Sequence, residues 1–145
     1  MTSPSPPLVP LTPELSAAGK LDRDDIEALA RAGVRTIVNN RPDGEDPGQL
    51  PAAEARRIAD ALGIAYHHIP VTAATLSRSD VDAFAAVLSS AEQPVVVHCR
   101  SGTRSTLLWA LTRMREGADP FALVSEAARH GIDIAALPAI AARLG

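Results

Sequence analysis

Val95-Val96-Val97-His98-Cys99-Arg100-Ser101-Gly102-Thr103-Arg104-Ser105 is the stretch on which the reading of this chain turns. Consecutive valines ending at a histidine suit a strand buried on both faces, as at the centre of a parallel sheet covered by helices. Gly102 allows a tight loop, and beyond Thr103 the residues Leu107, Leu108, Leu111 and Met114 recur at helical spacing. Strand, loop and helix therefore follow in that order, with the only cysteine of the chain at the bend. A thiol just before a helix N-terminus meets unpaired backbone N–H groups and the positive end of the helix dipole. Arg100 and Arg104 add fixed positive charge. All of these favour the thiolate, which is the nucleophilic form. Free cysteines are commonly buried apolar groups, but such a cysteine has no use for Gly102 or for arginines on both sides.

Outward from this stretch, strands and helices alternate. Ile26, Leu29 and Ala30 mark a helix over 22–32 that stops at Gly33, and a strand follows over 34–38. Residues 39–50 collect Asn, Pro, Asp and Gly and read as a loop. Pro51 starts a helix to about residue 62, and 64–69 is a strand closed by Pro70. Ser79 or Ser77 caps a helix over 80–90 that buries Val81, Phe84, Val87 and Leu88. The helix over 103–116 is followed by two short ones within 120–144. This alternation predicts an α/β three-layer sandwich around a central, mostly parallel sheet of about four to five strands. Residues 1–10, rich in Pro and Ser, read as a flexible tail, and 11–145 as one domain.

Aromatic residues make up only 3% of the chain, so its core must be built from Ala, Val, Leu and Ile. A formal charge of -3 with no basic stripe argues against a nucleic-acid partner. The N-terminus has neither a basic start nor an apolar span, which argues against a signal peptide or membrane anchor. A lone reactive thiol suits a reducing compartment, and the cytoplasm is expected. No cofactor is implied. His67, His68 and His130 lack metal-site spacing, so no metal is expected either.

Three segments together resemble the cysteine-dependent phosphatases, especially the dual-specificity group: residues 33–40, residues 63–71 and residues 94–105. More closely, Asn39-Asn40-Arg41-Pro42-Asp43-Gly44-Glu45 combined with the Cys99 loop is similar to the phosphatase-like domain of the beta-lactamase-hydrolase-like family. The resemblance implies a protein tyrosine phosphatase-like fold from about Leu11 onward. It also implies that the domain occurs alone or fused to a persulfide dioxygenase, and that some relatives act as sulfurtransferases.

Two departures from the phosphatase pattern bear on the chemistry. Only four residues separate Cys99 from Arg104, where the phosphatases have five; rhodanese-type sulfurtransferases commonly have a loop of this length. In addition, the acid that phosphatases carry after the Ile-Pro-Val strand is missing: Thr72, Ala73, Ala74 and Thr75 follow Val71. Sulfite leaves thiosulfate without protonation, so sulfur transfer tolerates both departures.

The sequence therefore favours a rhodanese-type sulfurtransferase working through a Cys99 persulfide, with a thiol acceptor such as glutathione and a persulfide dioxygenase as a partner. The alternative is a phosphatase working through a Cys99 phosphocysteine. A non-catalytic anion-binding or redox-sensing module comes next. Cys99 and Arg104 are the expected catalytic pair, with Arg104 offering a planar fork to the anion. Arg100, Ser101, Gly102, Thr103 and Ser105 form the anion-binding loop, with Ser101 and Ser105 as donors to the thiolate. His98 is expected to orient the loop and not to act as a base. Arg41 would add anion affinity, and Asp43, Glu45 or Asp46 would replace the missing acid.

Overall fold

The protein is described by a computed structural model that covers residues 5–145. Its elements are β1 (Leu8–Thr12), β2 (Leu15–Ala18), α1 (Arg23–Arg31), β3 (Thr36–Asn39), α2 (Ala52–Ala61), β4 (Ala65–His68), α3 (Arg78–Ser90), β5 (Val95–His98), α4 (Thr103–Arg115), α5 (Pro120–Arg129) and α6 (Leu137–Leu144). The sheet runs in the order β1-β2-β5-β3-β4. All neighbours are parallel except β1, which joins β2 as an antiparallel hairpin. The expected mostly parallel α/β sandwich is thus the architecture observed.

Alternation along the strands sends side chains to two separate cores. Ile37, Tyr66 and Val96 meet Ile26 and Leu29 of α1 and Ala55, Ile58 and Ala59 of α2. Val38, Val95 and Val97 meet Phe84 of α3, Leu108 and Leu111 of α4, Leu123 of α5 and Leu137 of α6. Helix α4 is buried without interruption from Ser105 to Thr112, so it lies inside the second core rather than on it. Leu108 is fully buried there, and Leu108→Ala would cost about 2–5 kcal/mol.

Local signals fix the helix starts. Asp22 and Asp25 close a capping box on α1, and Ser77 with Asp80 closes one on α3. The hairpin is the element the sequence did not announce. Leu15-Ser16-Ala17-Ala18 lacks the β-branched and aromatic residues that mark strands, yet it is almost entirely buried because it lies beside β5. Of the tail expected over 1–10, residues 8–10 belong instead to β1; residues 1–4 lie outside the described part. Pro10 is accommodated because β1 is an edge strand with a register shift between Pro10 and Thr12. Among the described residues no helix is long and apolar enough to cross a membrane.

Register places the site. Ala18 and Asn39 both pair with His98, and Asn39 pairs with His68 on its other side. Four parallel strands therefore end at one level, and the loops that follow them converge on a single edge of the sheet, where open α/β sheets bind ligands.

Candidate active site

Cys99 leaves the end of β5 and has no exposed surface. The loop turns at Gly102, whose left-handed φ of 93° makes it the N-cap of α4. This turn aims the Gly102 N–H at Cys99 Sγ, 3.1 Å away. A donor aimed at sulfur at a helix N-terminus is an arrangement that stabilises a thiolate. The loop's outer wall is β2: the Cys99 N–H donates to the Ala18 carbonyl at 3.3 Å, and the Lys20 N–H donates to the Arg100 carbonyl at 3.1 Å. A Cβ on Gly19 would stand 3.1 Å from the Arg100 oxygen, so glycine permits the close approach here.

Arg104, in the first turn of α4, spreads its guanidinium across the site. Nη1 donates to Glu45 Oε2 at 2.6 Å and to the Val71 carbonyl at 2.9 Å, and Nη2 donates to Glu45 Oε1 at 2.9 Å. The guanidinium also stands within side-chain hydrogen-bonding reach of Cys99. Hydrogen bonding to Glu45 raises the pKa of Arg104, and the nearness of Cys99 adds to this. The same pairing with Arg104, helped by Arg41, holds the Glu45 carboxyl below its ordinary range. Glu45 is thus an ionised brace in the resting site.

Asn40 ties three loops together. Its N–H donates to the His98 carbonyl at 2.7 Å, its Nδ2 to the Ile69 carbonyl at 3.0 Å, and its Oδ1 accepts from Ser105 Oγ at 2.7 Å. Ser105 is therefore directed at Asn40 and not at the Cys99 sulfur. Ser101 donates to Thr103 Oγ1 at 3.2 Å and stands exposed on the rim. Arg100 is also peripheral, with its side chain 64% exposed and 3.1 Å from Asp46. His98 is buried, its Nδ1 3.4 Å from the Cys99 carbonyl, and burial lowers its pKa to about 4. A neutral ring in that position supports the loop's floor.

Arg41 is buried, and its guanidinium is taken up by Glu45 at 3.0 Å and by Asp46. Asp43 accepts from the Ala52 N–H at 2.9 Å, so its carboxylate is committed to the start of α2. The sequence reading weighed Glu45 only as an acid and gave Asn40 no role. Their partners lie 59 and 65 residues away along the chain, and no local pattern reports contacts of that range.

The sequence model of the family described as "Beta-lactamase hydrolase-like protein, phosphatase-like domain" matches residues 8–116. The chain belongs to this family. The beta-lactamase hydrolase-like protein of Xylella fastidiosa is 36% identical over 110 residues, which are 76% of this chain and 26% of the relative. That of Agrobacterium fabrum is 34% identical over 129 residues, covering 88% of this chain and 30% of its own length. The chain thus spans about a quarter to a third of the curated relatives it matches.

Among solved structures, a candidate phosphatase from Neisseria meningitidis superposes with a TM-score of 0.81 at 32% identity, covering 90% of this chain and 94% of that one. The phosphotyrosine complex of P. aeruginosa TpbA superposes at 0.68 with 23% identity, covering 93% and 80%. At that identity the likeness is one of fold.

These findings overturn the expected rhodanese-type sulfurtransferase. The family model runs through the Cys99 loop, matching residues 8–116, and the structural neighbours share the fold, so the short spacing from Cys99 to Arg104 does not remove the chain from them. Loop length counts residues, whereas an anion responds to where the N–H groups and the guanidinium point. The glutathione-type acceptor followed from the sulfur reading and loses its support with it, and the persulfide dioxygenase partner implied by the family resemblance finds no support in these comparisons.

Proposed function

We propose that this domain is a cysteine-dependent phosphatase acting on phosphomonoesters with good leaving groups. The observation that carries the reading is the Cys99–Gly102–Arg104 arrangement: sulfur held by a loop N–H at a helix N-terminus, with a guanidinium braced by Glu45 close by. Cys99 Sγ attacks phosphorus, the S–P bond forms as the P–O bond to the leaving group breaks, and the phosphoryl group rests on sulfur. Water then breaks the S–P bond, releasing inorganic phosphate and restoring the thiolate. Arg104 Nε and the N–H groups of the loop hold the phosphoryl oxygens as charge redistributes.

The restriction to good leaving groups follows from the loop after β4. Thr72 and Thr75 hydroxyls bond each other at 2.8 Å, and Asp80 is fixed in the capping box of α3. No carboxylate on that loop is available to protonate the departing oxygen.

The test is hydrolysis of p-nitrophenyl phosphate, with acid-quenched protein weighed intact. Turnover accompanied by a phosphoryl adduct that disappears in Cys99→Ser supports the reading. Absence of turnover, or equal turnover by Cys99→Ser, would sink it.

A further inference from the structure

Arg41 is a buried cation paired with two carboxylates. Its side chain is 6% exposed, and both carboxylates it meets lie on its own loop. Its backbone is equally fixed: the N–H donates to Asn39 Oδ1 at 2.8 Å, and the carbonyl lies 2.8 Å from His68 Nε2. Burying a guanidinium is costly, and an apolar residue would fill the space more cheaply. The position therefore asks for a purpose beyond packing.

That purpose is legible in what the two carboxylates do next. Asp46 reaches Arg100 and Glu45 reaches Arg104, so charges alternate in the order Arg100, Asp46, Arg41, Glu45, Arg104. The chain of ions begins and ends on the two arginines of the Cys99 loop. Its two arms differ. The Arg100 arm is exposed and has a single contact at 3.1 Å, while the Arg104 arm is bidentate and shielded, with side chains 16% and 21% exposed.

We propose that Arg41 is a positioning residue that acts on the bound anion only through Glu45. By holding one carboxylate oxygen of Glu45, Arg41 fixes the plane in which Glu45 grips Nη1 and Nη2 of Arg104. That grip leaves the Nε edge turned toward the anion. Arg41 itself, with Nε and Nη2 engaged by the two carboxylates, acts on this proposal without a bond of its own to the anion, contrary to the direct affinity its sequence position suggests. The proposal rests on reading the Cys99 loop as an oxyanion site.

Sulfate binding to Cys99→Ser protein, measured by titration calorimetry, tests this without requiring turnover. Arg41→Met, Glu45→Gln and the pair are compared in that background, with the melting temperature of each recorded. Each single change is expected to weaken sulfate about tenfold, and the double change no more than Glu45→Gln alone. Losses that multiply would show that Arg41 reaches the anion by its own route, and would overturn the proposal. So would unchanged affinity in Arg41→Met, or no sulfate binding by the parent. If Arg41→Met does not fold, Arg41→Lys enters the same cycle, since a single ammonium lacks the fork needed to hold both carboxylates. Failure of the phosphatase reading would instead appear as absent phosphomonoester turnover with sulfate binding intact.

Discussion

The loops that follow β3 and β4 border the same nucleophile and are stocked in opposite ways. Residues 40–46 contribute Asn40, Arg41, Glu45 and Asp46, all tied directly or through one another to the Cys99–Arg104 loop. Residues 71–77 contribute one carbonyl, that of Val71, while their threonine hydroxyls bond each other and Ser77 turns to its helix cap. On the proposed function, one loop organises the grip on an anion and the other leaves the departing group to water. Binding and leaving-group assistance are therefore separable here, which they are not when one loop serves both.

The largest effect expected is from Cys99→Ser, which should lower phosphatase turnover by ~10⁴-fold or more while the melting curve stays in place. It removes the chemistry and leaves both loops intact. Next comes leaving-group dependence. Along a series of aryl phosphates of rising phenol pKa, kcat/KM should fall steeply, since general-acid assistance worth typically ~10²–10⁴-fold is lacking. A flat series would break the contrast between the loops by revealing a working acid, with residues 43–46 the first place to look.

Arg104→Lys should cost about 10²–10³-fold in kcat/KM, and Arg100→Lys only a few-fold. Both keep the charge, so the gap measures geometry, and equal losses would mean that local potential alone matters.

The last effect is on stability and not on turnover, and concerns the floor on which both loops rest. Burial lowers the pKa of His98 to about 4, below the value of about 6.5 for an exposed ring. Between those values the unfolded chain holds more protons than the folded one. Stability from this residue is therefore complete above pH 6.5 and is lost as pH falls toward 4, by at most about 3 kcal/mol. Urea unfolding across that window should show the decline, and His98→Gln should flatten it.

The parallel sheet and its helices were legible because each leaves a local trace: Val95-Val96-Val97 for the central strand, Gly33 for a helix end, Pro51 for a helix start, Ser77 for a cap. Leu15-Ser16-Ala17-Ala18 left none, since its strand character comes from β5 beside it and not from its own residues. The nucleophile was legible for the same reason as the sheet, its loop and helix being contiguous. The brace on Arg104 was not, because Glu45 becomes its partner only through folding. Counting residues from Cys99 to Arg104 misdirected the chemistry, as spacing records neither the left-handed turn at Gly102 nor the brace that Glu45 sets on Arg104.

The close packing of β2 against the Cys99 loop bears on the order in which the molecule assembles. Leu15 pairs with Val95, a partner about eighty residues further along the chain, and pairings of such separation must offset loop-closure entropy before they contribute stability. Helices such as α4 can form early from neighbouring residues. The wall that accepts the Cys99 N–H and covers the Arg100 carbonyl arrives only when the N-terminal hairpin docks. Recovery of catalysis on refolding should accordingly lag behind recovery of helix, making activity a marker of the finished sheet.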